Sequence, residues 1–155
     1  MKDGKKIGFT AGAFDLCHAG HVLMFEEAKT VCDHLIVGLH SDPSLDRPDS
    51  KNKPIMSVEE RTIILNGIRW IDEILVYDTE ADLLKLLTEN KLNIDIRIIG
   101  VEYKEKPYTG RELPLEVYYN TRGHNFSTTE LRNRVFQAEQ AKRNASAQVL
   151  PIQTR

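Results

Sequence analysis

The sequence predicts an α/β fold in which a parallel sheet is covered by helices on both faces. Short apolar runs alternate along the chain with stretches of helical periodicity, and two of these runs end at a glycine. Strands that are separated by helices need crossover connections, which are right-handed and pair the strands in parallel. At 155 residues, the chain is long enough for one domain of this kind with a real core.

Five apolar runs are the expected strands. They span residues 6–11, 33–40, 73–77, 94–99 and, more weakly, 115–119. Helices are expected after the first strand, over residues 57–68, over residues 81–90 and from residue 128 onward. Ser57 and Glu60 have the spacing of a capping box. We expect one domain over residues 1–142, followed by a tail over residues 143–155 that has little pattern.

The last helix carries an apolar stripe at helical spacing, which is typical of a buried face. Its members are Leu131, Val135, Ala138 and, at its end, Ala141.

Composition and charge narrow the class of protein. The net charge is only −2 and the basic residues are dispersed, so no nucleic-acid surface is expected. We expect neither a signal peptide nor a membrane span, because no long apolar segment occurs. Two cysteines without a paired framework fit a reducing compartment. The predicted location is therefore the cytoplasm.

The stretch at residues 12–21, G-A-F-D-L-C-H-A-G-H, lies between the first strand and the following helix. In a parallel sheet, such a turn lies at the carboxyl edge, where ligands bind, and a helix start offers free N–H groups to an anion. His18 and His21 share a helix face, and Gly20 leaves the surface between them open. An imidazole can donate a hydrogen bond or carry a positive charge near neutral pH, which suits transfer at a phosphate.

Two other interpretations of the histidine pair remain open. The first is that His18 and His21 are ordinary surface or capping histidines. The second is a zinc site, but Cys17 and Cys32 do not form a C-x-x-C, and the remaining ligands have no familiar spacing.

A second helix start is predicted at Ser127, which opens the segment S-T-T-E. Its hydroxyls and free N–H groups would suit the β- and γ-phosphates of a nucleotide. The alternative is a cap that stabilises the helix by about 1 kcal/mol and has no other role. Together with the histidine stretch, this segment predicts two helix starts that grip one triphosphate.

Two further regions supply cations. The long polar loop over residues 40–56 carries Lys51 and Lys53, and Arg69 follows the second helix. A loop of this length is typically functional or mobile, so the lysines could close over a phosphate or belong to a solvated charge run. An arginine in a last turn more commonly satisfies terminal carbonyls.

Three motifs resemble those of the cytidylyltransferase-like nucleotidyltransferases, in the order of that family. Residues 12–21 resemble G-x-F-D-x-x-H-x-G-H, residues 69–74 resemble R-Y-V-D-E-V, and residues 126–131 resemble I-S-T-T-x-[IL]. The similarity covers roughly residues 6–135. It implies a Rossmann-like, three-layer α/β/α architecture with a five-stranded parallel sheet, and a homodimer.

The resemblance also implies roles for individual residues. His18, His21 and Arg122 would be catalytic, and Lys53 and Arg69 would bind the acceptor's phosphate. The nucleotide would be bound by Gly12, Ala13, Phe14, Gly20, Glu102, Ser127, Thr128 and Thr129. Mg²⁺ is implied by the triphosphate, but its ligands are not readable from the sequence.

The activity implied first is transfer of CMP from CTP to a small phosphate monoester such as glycerol 3-phosphate, with release of pyrophosphate. Residues 100–104 read G-V-E-Y-K, between the G-D-D-W of CTP-using relatives and the G-x-D-Y-K of sugar-phosphate adenylyltransferases. Glu102 can accept from the exocyclic amine of either base. The alternatives are therefore adenylyl transfer from ATP to a sugar phosphate or FMN, and a non-catalytic nucleotide-binding regulator.

Overall fold

The computed structural model describes residues 3–148, which form five strands and five α-helices. The strands are β1 (Ile7–Gly12), β2 (His34–His40), β3 (Glu73–Tyr77), β4 (Ile96–Gly100) and β5 (Glu116–Asn120). The helices are α1 (Ala19–Ala28), the single-turn α2 (Pro43–Asp46), α3 (Val58–Asn66), α4 (Glu80–Glu89) and α5 (Thr128–Gln148). The predicted strands and helices are all present, with shifts of a few residues at their ends. No helix in this range combines the length and the apolarity that crossing a membrane would require.

The five strands form one parallel sheet in the order β3-β2-β1-β4-β5. The chain builds outward from β1 through β2 to β3, and then crosses to the other side of β1 to form β4 and β5. The strand order therefore reverses between β1 and β4, and ligands of open α/β sheets bind at the carboxyl end of such a crevice. The predicted Rossmann-like sheet is confirmed.

Alternate side chains of the strands pack into two separate cores. On one face, Phe25 of α1 and Leu65 of α3 pack against a group that includes Leu35 and Ile98. On the other face, Leu83 of α4 packs in a second group with residues of β1, β2 and β3. The sheet is thus the middle layer of three, with α1 and α3 on one side and α4 on the other.

The start of α3 confirms the predicted capping box. The Glu60 backbone N–H donates to Ser57 Oγ at 3.1 Å, and the Ser57 backbone N–H donates to Glu60 Oε2 at 2.7 Å. Two of the helix's otherwise unpaired N–H groups are satisfied in this way. The helix consequently begins at a fixed point near the carboxyl edge of the sheet.

Arg61 fastens this helix start to the loops that follow β1 and β2. Its side chain is only 2% exposed, and Nε donates to the Ser57 carbonyl in its own first turn. Nη1 donates to the carbonyls of Ala13 and His40 at 2.9 and 2.8 Å, and Nη2 donates to that of Ser41 at 2.6 Å. One buried guanidinium thus satisfies carbonyl groups from three segments.

The stripe predicted along the last helix is not buried. No residue of α5 is buried, and Val135 and Phe136 are 61% and 65% exposed. The periodicity is present, but no element covers that side of α5 in the part of the chain that the structure describes. The helix also continues through the predicted start of the tail at residue 143, and residues 149–155 lie outside the described residues.

Replacing Arg61 with Met is expected to lower the free energy of unfolding by about 3 kcal/mol or more. The reason is that buried carbonyls at the carboxyl edge lose their donors, and each such loss costs roughly 1–3 kcal/mol. Urea unfolding followed by circular dichroism would measure the change. Arg134→Met is the control, because this arginine is 65% exposed in its side chain and should change stability by at most about 0.5 kcal/mol. Equal unfolding midpoints for the two variants would contradict the role of Arg61.

Candidate active site

A cavity of about 980 Å³ opens at the carboxyl edge of the sheet. This volume is at the upper end of the range for ligand pockets. We call its two parts the α1 lobe and the α4 lobe. The α1 lobe is lined by Gly12, Phe14, His18, His21 and Thr128, and the α4 lobe by Tyr77, Glu80, Arg97, Tyr108 and Thr109. The crevice between the carboxyl ends of β1 and β4 therefore extends over both faces of the sheet.

The turn that leads into α1 has an uncommon backbone. Phe14 and Leu16 have φ values of 48° and 49°, in the left-handed region that non-glycine residues rarely occupy. Asp15, between them, accepts from the backbone N–H groups of Ile55 and Met56 at 2.8 and 2.9 Å. Such strain persists only where the surroundings hold it, and it concentrates at functional sites. Asp15 acts here as the structural partner of the turn.

The two histidines cap α1 through their Nδ1 atoms. His18 Nδ1 accepts from the Gly20 N–H at 3.0 Å, and His21 Nδ1 accepts from the His18 N–H at 3.2 Å. A backbone N–H only donates, so each Nδ1 is unprotonated, and a neutral ring must carry its proton on Nε2. The capping interpretation and the functional one are therefore compatible, because capping fixes the tautomer and leaves one N–H donor on each ring.

The structure favours neutral imidazoles over charged ones in the ligand-free protein. The two rings stack with centroids 4.0 Å apart. Burial lowers the pKa of His21 to about 3, and the nearby His18 and Arg122 act in the same direction. Burial also lowers the pKa of His18, with smaller effects from His124 and Arg122. Of the two roles expected for these rings near neutral pH, hydrogen-bond donation is the one that this environment supports.

The start of α5 faces the start of α1 across the α1 lobe. Ser127 Oγ accepts from the Glu130 N–H at 3.1 Å, as the predicted cap requires. Thr128 Oγ1 lies 3.3 Å from His18 Nε2. The two helix starts that the sequence predicts are thus brought together. Thr129 is exposed and does not line the cavity, because it lies on the outer side of the first turn of α5.

Arg122 and Glu102 line the α1 lobe and bind each other. Arg122 Nη1 donates to Glu102 Oε1 at 2.7 Å, and both side chains are about two-fifths exposed. Glu102 was predicted to bind the nucleotide, and Arg122 was predicted to be catalytic. A ligand that uses either one therefore has to replace this exposed ion pair, which is a weak interaction.

The structure does not bring Lys53 and Arg69 to the cavity. Arg69 is exposed, with its guanidinium carbon 4.3 Å from the ring centroid of Trp70. It follows the end of α3, and α3 runs from the carboxyl edge of the sheet to the amino edge, so Arg69 lies at the edge opposite the cavity. Lys53 is exposed in the loop over residues 40–56. Arg47 and Lys51 of the same loop do line the cavity.

Among the polar cavity residues that were not predicted as site residues are His124, Asn120 and Arg97. A Cβ atom added to Gly20 would lie 2.8 Å from His124 Cε1 and equally close to His18 Cε1, so His124 packs against the start of α1. Asn120, at the end of β5, is buried, and its Oδ1 has no hydrogen-bond partner among the described residues. Arg97 is buried within β4. For Arg97 and Asn120, the available signal was a polar residue in or at the end of an apolar strand.

His40, Asp46 and Glu80 form a group with donor atoms close enough to hold a metal ion. These donors already have protein partners. His40 Nε2 contacts the Asp78 carbonyl at 3.0 Å, Asp46 accepts from the Glu80 N–H at 2.7 Å, and Glu80 accepts from Arg47 at 2.8 Å. These contacts join α2 to the start of α4, and we assign no metal to them.

Comparisons with known proteins agree with the three motifs described under the sequence. The family described as cytidylyltransferase-like matches residues 9–134. The bifunctional protein HldE of Campylobacter concisus is 35% identical over 139 residues, which is 90% of this chain and 29% of the relative. HldE of Wolinella succinogenes is 39% identical over 116 residues, which is 74% of this chain and 23% of the relative. The chain thus spans less than a third of the length of these relatives.

Two solved structures share the fold. A lipopolysaccharide core biosynthesis protein from Thermoplasma volcanium has a TM-score of 0.61 and 23% identity, over 76% of this chain and 98% of that one. A putative nicotinate-nucleotide adenylyltransferase from Vibrio parahaemolyticus has a TM-score of 0.53 and 20% identity, over 86% of this chain and 88% of that one. At these identities, the likeness concerns the fold alone.

The stability of the protein is expected to fall as the pH drops below about 6.5, partly through His21. In the unfolded chain, this histidine binds a proton near its ordinary pKa of about 6.5, whereas in the native protein it does so only near pH 3. Between these values the unfolded state holds more protons, so stability rises with pH, by up to about 1.4 kcal/mol per pH unit.

Urea unfolding between pH 7 and pH 5 would measure this dependence in the wild type and in His21→Asn. Asparagine keeps an acceptor for the His18 N–H but does not titrate. The variant should therefore show a flatter dependence on pH, since the carboxylates contribute equally to both proteins. Parallel curves would show that His21 is not held neutral.

Proposed function

The chain belongs to the cytidylyltransferase-like family of nucleotidyltransferases, and on that premise we propose that it transfers a nucleotidyl group from a nucleoside triphosphate to a phosphate monoester, releasing pyrophosphate. The observation that carries the proposal is the meeting of two helix starts, with Thr128 Oγ1 3.3 Å from His18 Nε2. Free N–H groups at such starts bind phosphate oxygens. The space between α1 and α5 therefore suits a triphosphate.

The reaction needs no covalent enzyme intermediate. An oxygen of the acceptor's phosphate attacks the α-phosphorus in line, a new P–O bond forms, and the bond from that phosphorus to the oxygen bridging to the β-phosphate breaks. Pyrophosphate carries away the electron pair. Catalysis of such transfers depends on positioning and on donors placed at the charged oxygens. In this proposal the Nε2–H groups of His18 and His21 supply those donors.

The leaving pyrophosphate is assigned to the start of α5. Ser127 and Thr128 offer hydroxyls and backbone N–H groups there, and Arg122 offers a cation. In the ligand-free protein Arg122 is paired with Glu102 at 2.7 Å. An exposed pair of this kind is worth at most about 1 kcal/mol, so the more highly charged triphosphate can displace the carboxylate. Glu102 is then available to accept from a base amine.

We place ATP ahead of CTP as the nucleotide, and a sugar phosphate ahead of glycerol 3-phosphate as the acceptor. Residues 100–104, G-V-E-Y-K, match the G-x-D-Y-K pattern of sugar-phosphate adenylyltransferases except for Glu in place of Asp, and they share only the glycine with G-D-D-W. The relatives named above are HldE proteins, whose alignments cover up to 90% of the chain. Cytidylyl transfer, first in the expectation from sequence, is therefore the second candidate.

Mg²⁺ is proposed as the companion of the triphosphate, where it neutralises charge on the phosphate oxygens. Two carboxylates of this region have other partners, since Asp15 accepts two backbone N–H groups and Glu102 pairs with Arg122. The residues present therefore fit an ion held mainly by phosphate oxygens and water. The homodimer and the cytoplasmic location remain predictions.

Replacing His18 with Ala is expected to lower the rate of pyrophosphate release by about a hundredfold. Removal of one donor that serves the transition state typically costs roughly 3 kcal/mol. A coupled pyrophosphate assay with ATP and a panel of sugar phosphates would measure it. His34→Ala is the control, because this histidine begins β2 at the opposite edge of the sheet and pairs with Glu73. Wild-type rates in His18→Ala and His21→Ala would refute the mechanism.

Thermal-shift measurements with ATP and with CTP, each with Mg²⁺, should show the larger stabilisation with ATP. A ligand that binds only the native state raises its stability by RT ln(1 + [L]/Kd), so equal concentrations rank the two affinities. A larger shift with CTP would restore cytidylyl transfer as the first candidate. A shift with both nucleotides but no pyrophosphate release with any acceptor would favour the regulator.

A further inference from the structure

Arg97 is a buried cation that forms no ion pair with a carboxylate within residues 3–148, although Glu80 and Glu112 of the same cavity lie near enough to stabilise its charge. Its side chain is 6% exposed within β4, and Nη1 donates to the Thr109 carbonyl. No carboxylate oxygen within residues 3–148 lies within 4.0 Å of its guanidinium. A guanidinium remains charged at any ordinary pH, and burying a charge without a partner is costly. Burial accordingly lowers the pKa of Arg97.

Arg61 shows what a purely structural buried arginine looks like in this protein. Its three nitrogen atoms donate to backbone carbonyls of at least four residues, among them Ala13, His40 and Ser41. Arg97 has five N–H donors but a single hydrogen bond in the described structure. Because Arg97 lines the cavity, its remaining donors are open to a ligand there.

The surroundings of Arg97 suit a ligand that carries both an anion and hydroxyl groups. The Arg97 guanidinium carbon lies 5.2 Å from the ring centroid of Tyr108, and Arg47 lines the same cavity. The Thr109 hydroxyl donates to Glu80 Oε2. Carboxylate, hydroxyl and phenol groups exchange hydrogen bonds readily with sugar hydroxyls. The α4 lobe thus combines buried positive charge with polar groups that match a polyol.

The geometry of in-line transfer places the acceptor on this side of the sheet. The attacking and leaving oxygens lie on opposite sides of the reacting phosphorus. The proposed pyrophosphate site at Ser127 and Thr128 is on the α1 side, because Thr128 contacts His18. Arg97 faces the α4 side, since its neighbours Ile96 and Ile98 pack into the core beneath α1. A nucleophile that approaches opposite the leaving group therefore comes from the α4 lobe.

We propose that the α4 lobe is the acceptor subsite, in which Arg97 binds the phosphate of a sugar phosphate while Glu80, Tyr108 and Thr109 contact its hydroxyl groups. This inference rests on the proposed function. It gives Arg97 the role that the sequence resemblance gave to Lys53 and Arg69, neither of which lines the cavity. The only anions that the reaction brings to the cavity are the triphosphate and the acceptor, and the triphosphate is assigned to the α1 lobe.

The test is binding of inorganic phosphate to protein already saturated with α,β-methylene-ATP and Mg²⁺. This analogue occupies the triphosphate site and has no cleavable bond between the α- and β-phosphates. Isothermal titration at constant ionic strength should show saturable phosphate binding to the wild type. In Arg97→Met, which keeps the volume but removes the charge, the affinity for phosphate should fall at least tenfold while the affinity for the analogue stays within twofold.

Arg111→Met is the matched control. Arg111 also lies over Tyr108, at 5.4 Å, but it is exposed and donates to carbonyls of residues 103, 104 and 106. Its replacement should leave phosphate affinity within twofold of the wild type. The melting temperature of Arg97→Met without ligand should stay close to that of the wild type, because removal of a buried charge offsets the loss of the donor to the Thr109 carbonyl.

The outcomes distinguish failure of the acceptor subsite from failure of the proposed function. If the wild type binds neither the ATP analogue nor the corresponding CTP analogue, the proposed function fails. If an analogue binds but phosphate does not, the proposed function stands and the subsite is wrong. The same conclusion follows if phosphate binds Arg97→Met as tightly as it binds the wild type. A large fall in the melting temperature of Arg97→Met would assign Arg97 a structural role and also overturn the subsite.

Discussion

The guanidinium of Arg61 determines the geometry of the carboxyl edge. It joins the start of α3 to the loop after β1 through Ala13, and to the end of β2 through His40 and Ser41. The residue after Ala13 is Phe14, whose left-handed backbone begins the turn toward the histidines. Because one rigid, planar group makes these bonds, the turn, the strand end and the helix start cannot move independently. The position of His18 therefore depends on an arginine more than 40 residues away in sequence.

The hydrogen bonds that cap α1 also determine which atoms of the two histidines can act on a ligand. Their Nδ1 atoms are used in capping α1, which leaves only the Nε2 atoms for a ligand. In the ligand-free protein, burial and the charge of Arg122 keep the rings neutral. A triphosphate would bring several negative charges beside them, and a nearby opposite charge raises the pKa of an imidazole. Positive charge on the two rings is thus expected to arise when a triphosphate binds, so the protein alone does not bear the cost of two like charges held together.

The sequence predicted those features that depend on local physics. Strand β3 begins and ends where predicted, and the caps at Ser57 and Ser127 form the predicted bonds to Glu60 and Glu130. Each of these depends on residues a few positions apart. Arg69 lies away from the cavity, because its location depends on the direction in which α3 crosses the sheet, and a local motif does not show that direction. The stripe on α5 shows that periodicity identifies a helix face without showing what covers it.

Arg97 and Asn120 illustrate a different limit, because their importance lies in partners that they lack. From sequence alone, a charged residue in a strand is interpreted as a surface position or as an exception to the apolar pattern. Only the packed structure shows that Arg97 is buried with one hydrogen bond. A fold that is selected for stability alone would replace such a group with an apolar side chain. Its presence in a cavity is understandable when a ligand completes the interaction, since stability is commonly given up at functional sites. The contrast with Arg61 supports the proposed role of Arg97: both arginines are buried, but only Arg61 has most of its donors satisfied by backbone carbonyls.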